Sequence, residues 1–273
     1  MGFSADWLNL REPADHAARD GALLDAAARA AGPAPVIVDL GCGTGSSRRA
    51  MAGRLPEAAR WRMVDADPAL LDLAGRHEAT TTHRIDLRRI EDLPLEGATL
   101  VTASALIDLT SADWLDGLIA RLAALRLPFY AALSYDGEIR FQPPHHDDAA
   151  VTAAFNRHQR GDKGFGRALG PDATDHASAT LRAAGYRVET AASPWRLGPD
   201  QAPLQHALLT GIAEAAAEAG AECDVAGWVA ARGDPASRSA CVVGHRDLLA
   251  LPAGLHGASA GDADRAPNRR PPS

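Results

Sequence analysis

The chain has 273 residues, of which 46% are hydrophobic, so it is long and apolar enough to bury a sizeable core. Its formal net charge of -7 opposes stable binding of nucleic acid, and its three widely spaced cysteines do not fit a disulfide framework or a zinc site. With no apolar run approaching about 18 residues, the sequence predicts no membrane span and a cytoplasmic protein.

Residues 1–34 are predicted to form an N-terminal helical cap. Apolar residues recur at helical spacing from Trp7 to Ala27, and we expect the helix to break or bend near Pro13 and Gly21.

The next segment changes character, because Val36-Ile37-Val38 is a β-branched run that predicts a buried first strand. Helical and strand-like segments then alternate. The expected elements in chain order are helix 46–55, strand 61–64, helix 68–76, strands 81–85 and 99–103, helix 111–125 and strand 129–134. This alternation predicts right-handed crossovers and a doubly wound α/β fold with a mostly parallel sheet.

Two segments interrupt the alternation and are predicted to be helical insertions, at about 135–172 and 195–238. The elements expected beyond the fifth strand are helices 147–159 and 173–184, strand 186–192, helices 204–219 and 225–231, and strand 240–245. The last strand is expected to close the sheet as an antiparallel neighbour. We assign the main domain to residues 35–251 and predict that residues 252–273, which lack large apolar side chains, form a disordered tail.

The strongest functional feature is the string Val-Asp-Leu-Gly-Cys-Gly-Thr-Gly at residues 38–45, placed between the first strand and a helix. Gly41, Gly43 and Gly45 permit a tight turn and the close approach of a ligand to the backbone. Ser46 stands where the dinucleotide-binding pattern has its third glycine, so a nicotinamide cofactor is disfavoured.

Three aspartates near the first two strands are candidate ligand-binding groups. Asp39 would face the amino group of a bound amino acid moiety, unless it only ties down the glycine loop. Asp65 follows the loop by about 20 residues, where a carboxylate can accept both hydrogen bonds of a ribose diol. Asp67 is better suited to cap the helix that begins at Pro68, and either Asp65 or Asp67 could be a cap alone.

The loops after the third and fourth strands complete the expected site, since ligands of doubly wound sheets bind outside the carboxyl ends of the strands. Asp86 could accept a hydrogen bond from an adenine amino group, and Leu87 and Leu106 could enclose the ring.

These motifs, in this order and spacing, resemble those of the class I S-adenosylmethionine-dependent methyltransferases. The resemblance covers about residues 35–134 and the final strand pair, and it implies a Rossmann-like fold and S-adenosylmethionine as cofactor. In several such methyltransferases an N-terminal helix folds across the cofactor, and the alternative for this chain is an ordinary helix that covers the sheet. The residues expected to bind the cofactor are Asp39, Gly41, Cys42, Gly43, Gly45, Asp65, Ala66, Asp86, Leu87, Ser104 and Arg11.

A polar, glycine-rich stretch at residues 156–171 follows the fifth strand, where related methyltransferases commonly build the acceptor pocket. Arg157, Asp162 and Lys163 are therefore expected to bind the acceptor from a loop that covers it. The alternatives are a solvated basic loop and a site for phosphate.

An oxygen acceptor needs a base to remove its proton. His158 is the candidate base, and Asp108 and Tyr135 are weaker choices. The string His-His-Asp-Asp at residues 145–148 has metal-ligand residue types, but adjacent residues cannot easily all point inward, so we expect no metal.

The sequence thus predicts a methyltransferase that acts on an oxygen or nitrogen atom of a small molecule. An RNA or protein methyltransferase is the first alternative, and an NAD(P)-dependent oxidoreductase is the second. The oligomeric state stays open.

Overall fold

The structure of the protein is a computed structural model that describes residues 3–233 and 239–254, and nine helices are assigned within these residues. They are α1 (Ala5–Ala18), α2 (Gly21–Ala30), α3 (Ser46–Ala50), α4 (Pro68–Ala74), α5 (Ala112–Leu125), α6 (Asp148–Gln159), α7 (Ala173–Ala183), α8 (Ala202–Glu218) and α9 (Val225–Gly233). No helix among the described residues combines the length and apolar character that a membrane span requires.

Eight strands form a single mixed sheet within the described residues. They are β1 (Val36–Leu40), β2 (Arg60–Asp65), β3 (Thr80–Arg84), β4 (Leu100–Ser104), β5 (Phe129–Gln142), β6 (Tyr186–Ala192), β7 (Trp195–Leu197) and β8 (Ala240–Pro252). Their order is β3-β2-β1-β4-β5-β8-β6, with β7 also paired to β8. The first five strands are parallel and β8 is antiparallel to its neighbours, which confirms the predicted fold class.

The sheet buries both faces, as the β-branched first strand predicts. Neighbouring side chains of β1 point to opposite faces, so Ile37 and Val38 belong to different apolar clusters. The cluster around Val38 is covered by α5 and α7, and the cluster around Ile37 is covered by α2 and α4. The strands are therefore held rigidly, and their carboxyl ends form a fixed edge.

Two helices differ from the sequence prediction. Pro13 lies inside α1 without breaking it. Proline removes only one helical hydrogen bond, and the carbonyl that loses its partner belongs to Asn9, which is exposed to solvent. The expected helix 46–55 ends at Ala50, and the chain continues in tight turns through Gly53, which has a φ of +78°.

The fifth and last strands are longer than predicted. β5 continues to Gln142, and thus enters the segment expected to be an insertion, because it pairs with β8 as far as Ala240. The ladder is irregular near Leu133, whose φ is +57° and whose N–H donates to Asp247 Oδ1 at 2.8 Å. β8 likewise runs to Pro252, the first residue of the predicted tail, and residues 255–273 lie outside the described residues.

The extended ends of β5 and β8 carry a third apolar cluster. It joins β7 with α1, α6, α8 and α9, and its largest buried side chain is Trp228. This layer brings the N-terminal helix and the two predicted insertions to the carboxyl edge of the sheet, beside the glycine loop.

Candidate active site

The glycine loop forms a tight turn between β1 and α3. Gly41, Gly43 and Gly45 all have positive φ, at 62°, 53° and 88°. A Cβ atom on Gly43 would lie 2.9 Å from Leu8 Cδ1 in α1, so only glycine permits this approach of the N-terminal helix.

A cavity of about 480 Å³ opens beside this loop, and we call it the large cavity because it is larger than the chamber of about 170 Å³ that adjoins it. Its wall includes Arg11, Gly41, Cys42, Gly43, Asp65, Ala66, Asp86, Leu87 and Ser104, all of which the sequence analysis assigns to the cofactor. The size is typical of a site for a small molecule or cofactor.

Asp65 stands at the centre of this wall. Its Oδ2 accepts a hydrogen bond from the Gly43 N–H at 3.0 Å, and its Oδ1 accepts one from the Asp67 N–H at 3.0 Å. The carboxylate is thereby held in one orientation at the end of β2. Asp67 caps α4 by accepting from the Ala69 N–H at 2.8 Å, as predicted.

Asp39 and Gly45 are the two expected cofactor residues that do not line the large cavity. Asp39 is fully buried beneath the loop, where its Oδ1 accepts from the Thr102 hydroxyl at 2.7 Å. Burial raises its pKa to about 6. Its Oδ2 is buried and has no hydrogen-bond partner among the described residues. Asp39 thus lies beneath the loop, bound to the neighbouring strand β4, and does not line the large cavity.

The far end of the large cavity is formed by the loops after β3 and β4. Arg88 pairs with the Asp86 carboxylate and lowers its pKa. The Trp114 Nε1–H donates to the Leu87 carbonyl at 2.7 Å and fixes the loop against α5. Leu87 and Leu106 both approach Gly41 and give this end an apolar surface.

Arg11 of α1 lies at the opposite end. Its guanidinium makes a bidentate ion pair with Asp15, at 2.9 and 3.1 Å, and sits 4.8 Å from the ring centre of Trp195. The Trp195 Nε1–H also donates to Asp15 Oδ1 at 2.9 Å. These contacts hold Arg11 rigidly on the wall.

A second, smaller cavity of about 170 Å³ adjoins the large cavity, and we call it the aromatic chamber. The residues that line both cavities are Phe3, Arg11, Ala105 and Leu109. Further wall residues of the chamber are Trp7, Asp108, Tyr135, Phe155, Trp195 and His245. Two of the three candidate catalytic residues, Asp108 and Tyr135, are therefore brought together here.

The titratable groups of the aromatic chamber are strongly affected by burial. Burial raises the pKa of Asp108 to about 6 and raises that of Tyr135 well above its usual value. Burial, helped by the positive charge of Arg11, lowers the pKa of His245 to about 3. The Tyr135 hydroxyl donates to Asn156 Oδ1 at 2.8 Å.

His158 and Arg157 line neither cavity. They lie in the last turn of α6, which packs against α8, so His158 pairs with Glu218 at 3.1 Å. Arg157 donates to the carbonyls of Ala219 and Gly220 at the end of α8, at 3.3 and 3.4 Å. His158 Nδ1 also lies 3.0 Å from Nζ of Lys163, so His158 contacts a residue of the large-cavity wall without lining the cavity itself.

The loop that follows α6 borders the large cavity rather than the aromatic chamber. Lys163, Gly164 and Phe165 line the large cavity, and Phe165 packs edge-on against Trp114 with ring centres 5.3 Å apart. Asp162, expected to bind the acceptor, instead accepts from the N–H groups of Gly164 and Gly166 and shapes the loop.

The side chains of the His-His-Asp-Asp string at residues 145–148 come closer together than the sequence predicts. His145, His146 and Asp147 do bring ligand atoms within 4.8 Å of one another, although they are adjacent in sequence. Asp148 is directed elsewhere, to Arg232 and to the Trp228 Nε1–H. The His146 side chain is 82% exposed, whereas those of His145 and Asp147 are 23% and 16% exposed.

The sequence analysis missed Trp195 and His245. Both lie in the antiparallel part of the sheet, outside the glycine-loop motifs. The one available signal was a histidine at the end of the predicted strand 240–245.

Residues 37–128, which run from β1 past β4 and include the glycine loop, match the family model of a methyltransferase domain. The order of the strands agrees with this match, and the protein is a class I S-adenosylmethionine-dependent methyltransferase. Comparison with curated protein sequences gives no match.

Solved structures with the same fold include two that align over nearly their whole length. A protein provisionally named a type II methyltransferase, from Anaeromyxobacter dehalogenans, is 19% identical with a TM-score of 0.50, and the alignment covers 86% of this chain and 97% of that one. A cyclopropane-fatty-acyl-phospholipid synthase-like protein from Lactobacillus casei is 14% identical with a TM-score of 0.50, covering 92% and 95%. At these identities the likeness concerns the fold.

Proposed function

We propose that this methyltransferase transfers a methyl group to an oxygen or nitrogen atom of a small molecule held in the aromatic chamber. The observation that carries the proposal is the shared wall between the large cavity and the aromatic chamber, formed by Phe3, Arg11, Ala105 and Leu109. A ligand in one cavity would therefore adjoin a ligand in the other.

The large cavity suits S-adenosylmethionine in size and in the chemistry of its wall. Asp65 would hold the ribose hydroxyls, Asp86 the adenine amino group, and the loop at 41–43 the methionine part. Bound there, the cofactor supplies an electrophilic methyl carbon attached to a positively charged sulfur.

The residues of the aromatic chamber would bind and orient the acceptor. Side chains from α1, α6 and α8 would limit the access of water, and a fixed acceptor would approach the methyl carbon with little further loss of entropy. A chamber of about 170 Å³ admits a small molecule, which favours this acceptor class over folded RNA or protein. In this proposal residues 35–251 are the catalytic domain and residues 1–34 cover the site.

Two measurements test the proposal. Calorimetry should show micromolar binding of S-adenosylhomocysteine and much weaker binding of NAD, and preference for NAD would overturn the methyltransferase assignment. Incubation with tritiated-methyl S-adenosylmethionine and cell extract, followed by separation by size, should label the small-molecule fraction. Label confined to RNA or protein would instead support the macromolecular alternative.

A further inference from the structure

Two residues that line the aromatic chamber, Asp108 and His245, each carry a buried side-chain atom without a hydrogen-bond partner among the described residues. These atoms are Asp108 Oδ1 and His245 Nδ1. A buried polar atom without a partner is costly, so a ligand that supplies the partner is favoured over one that does not. These atoms therefore indicate which hydrogen-bonding groups a bound ligand would supply.

The rest of the chamber is mostly apolar. The aromatic rings of Phe155 and Trp195 contribute to the wall. The Tyr135 hydroxyl already donates its hydrogen bond to Asn156 Oδ1. The volume of about 170 Å³ is close to that of a protein cavity known to accommodate benzene. The chamber thus accepts about one ring with a small polar substituent.

The charges around Asp108 distinguish between acceptor classes. Arg11 from α1, Tyr135 from β5 and His245 from β8 are the titratable or charged groups that share the chamber with it. The side chains contributed by α6 and α8 are uncharged: Phe155, Gln159, Leu208 and Ile212. The charge of Arg11 is offset by its ion pair with Asp15. Near neutral pH His245 is uncharged, while Asp108, with a pKa of about 6, is largely ionised and is the acceptor for a hydroxyl proton.

We propose that the acceptor is a compact ring-bearing alcohol of the phenol type, whose hydroxyl hydrogen-bonds to Asp108. This inference rests on the proposed function. As the acceptor oxygen forms its bond to the methyl carbon, the methyl–sulfur bond breaks, sulfur keeps the electron pair, and the hydroxyl proton passes to Asp108 Oδ1. The products are a methyl ether and S-adenosylhomocysteine. An amine beside the carboxylate would tend to keep its proton and would lack the lone pair that attack requires.

Equilibrium binding provides a test that does not depend on turnover. With the protein saturated with S-adenosylhomocysteine, phenol should bind at least about tenfold more tightly than anisole at pH 8, because anisole has no proton to donate. Lowering the pH to 5 protonates Asp108 and should reduce this preference. Asp108→Asn should weaken phenol binding about tenfold, leave anisole binding unchanged and remove the pH dependence.

Turnover provides the second test. Formation of anisole from phenol, measured by mass spectrometry, should rise with pH through about 6 and then level off. Asp108→Asn should reduce the rate at least about 100-fold and flatten the profile. Asp72→Asn is the matched control, since Asp72 is exposed on α4 and lines neither cavity, and it should change neither binding nor rate.

Equal affinity for phenol and anisole, no detectable binding of phenol, or faster methylation of aniline than of phenol would each overturn the inference. All three leave the methyltransferase assignment standing if S-adenosylhomocysteine binds. Failure to bind S-adenosylhomocysteine would overturn the proposed function itself. The comparisons of phenol with anisole and of pH 8 with pH 5 use the unmodified protein, so they do not depend on the folding of a variant.

Discussion

The large cavity and the aromatic chamber share a wall but are assembled from different parts of the chain. The central wall of the large cavity comes from loops that follow β1, β2, β3 and β4, all between Gly41 and Leu109. The chamber shares the loop after β4, which supplies Asp108, and takes the rest of its wall from the N-terminal segment with α1 and from β5, α6, β7, α8 and β8. The first is therefore a product of local motifs, and the second is a product of tertiary packing.

This difference separates two kinds of functional residue. A side chain at the end of a parallel strand is positioned by the regular fold, so substitution there should affect the cofactor without changing the acceptor preference. A chamber residue depends on the packing of distant helices, so substitution should affect the acceptor while the cofactor still binds. Variants of the large cavity should thus change cofactor affinity, and variants of the aromatic chamber should change acceptor binding.

The largest effect is expected from Asp65→Ala in the large cavity. It removes the carboxylate that we propose accepts two hydrogen bonds from ribose, each worth about 1.5–3 kcal/mol, so S-adenosylhomocysteine should bind at least about 100-fold more weakly. Calorimetry measures the affinity, and circular dichroism should show a nearly normal fold. The exposed Asp72 supplies the control variant Asp72→Ala. Retained affinity in Asp65→Ala would remove Asp65 from the ribose role.

The next effect is expected from Trp195→Phe in the aromatic chamber. Phenylalanine keeps an aromatic ring but loses the Nε1–H that donates to Asp15, so the pair of Arg11 with Asp15 is held less firmly. The KM for the acceptor should rise about tenfold, in line with a charge-assisted hydrogen bond worth about 1.5 kcal/mol. Because Arg11 and Asp15 also line the large cavity, the affinity for S-adenosylhomocysteine should fall as well, by a smaller factor of about threefold. An equal loss for both ligands would show that the two cavities do not act separately.

The same contrast explains what the sequence could predict. The parallel strands and Asp65 were predictable, because a β-branched run, a glycine turn and a carboxylate about 20 residues later place residues by local geometry. The direction of Asp39 was not predictable, since the motif does not reveal that Thr102 on the neighbouring strand binds it. His158 was misleading because its surroundings are set by the packing of α6 on α8, and His245 was missed for a similar reason.

A smaller effect is expected from Phe165→Ala, in the loop that borders the large cavity. Phe165 packs edge-on against Trp114, and such aromatic pairs contribute about 0.5–1.5 kcal/mol beyond the area that they bury. The dissociation constant of S-adenosylhomocysteine should rise about fivefold, while the ratio of phenol to anisole affinity stays the same. A change in that ratio alone would place this loop at the acceptor, as the sequence analysis expected.

The smallest effect is expected from His158→Ala, which separates the sequence hypothesis from the structure most directly. The sequence assigns His158 as the base, and its loss should then lower kcat by about 100-fold or more. In the structure its imidazole pairs with Glu218 and lines neither cavity, so kcat and KM should each change less than about twofold. The ion pair is largely exposed on the Glu218 side, which makes its contribution to stability small. A large fall in kcat with unchanged binding of S-adenosylhomocysteine would mean that α6 brings His158 to the acceptor, and the aromatic chamber would then not be the whole acceptor site.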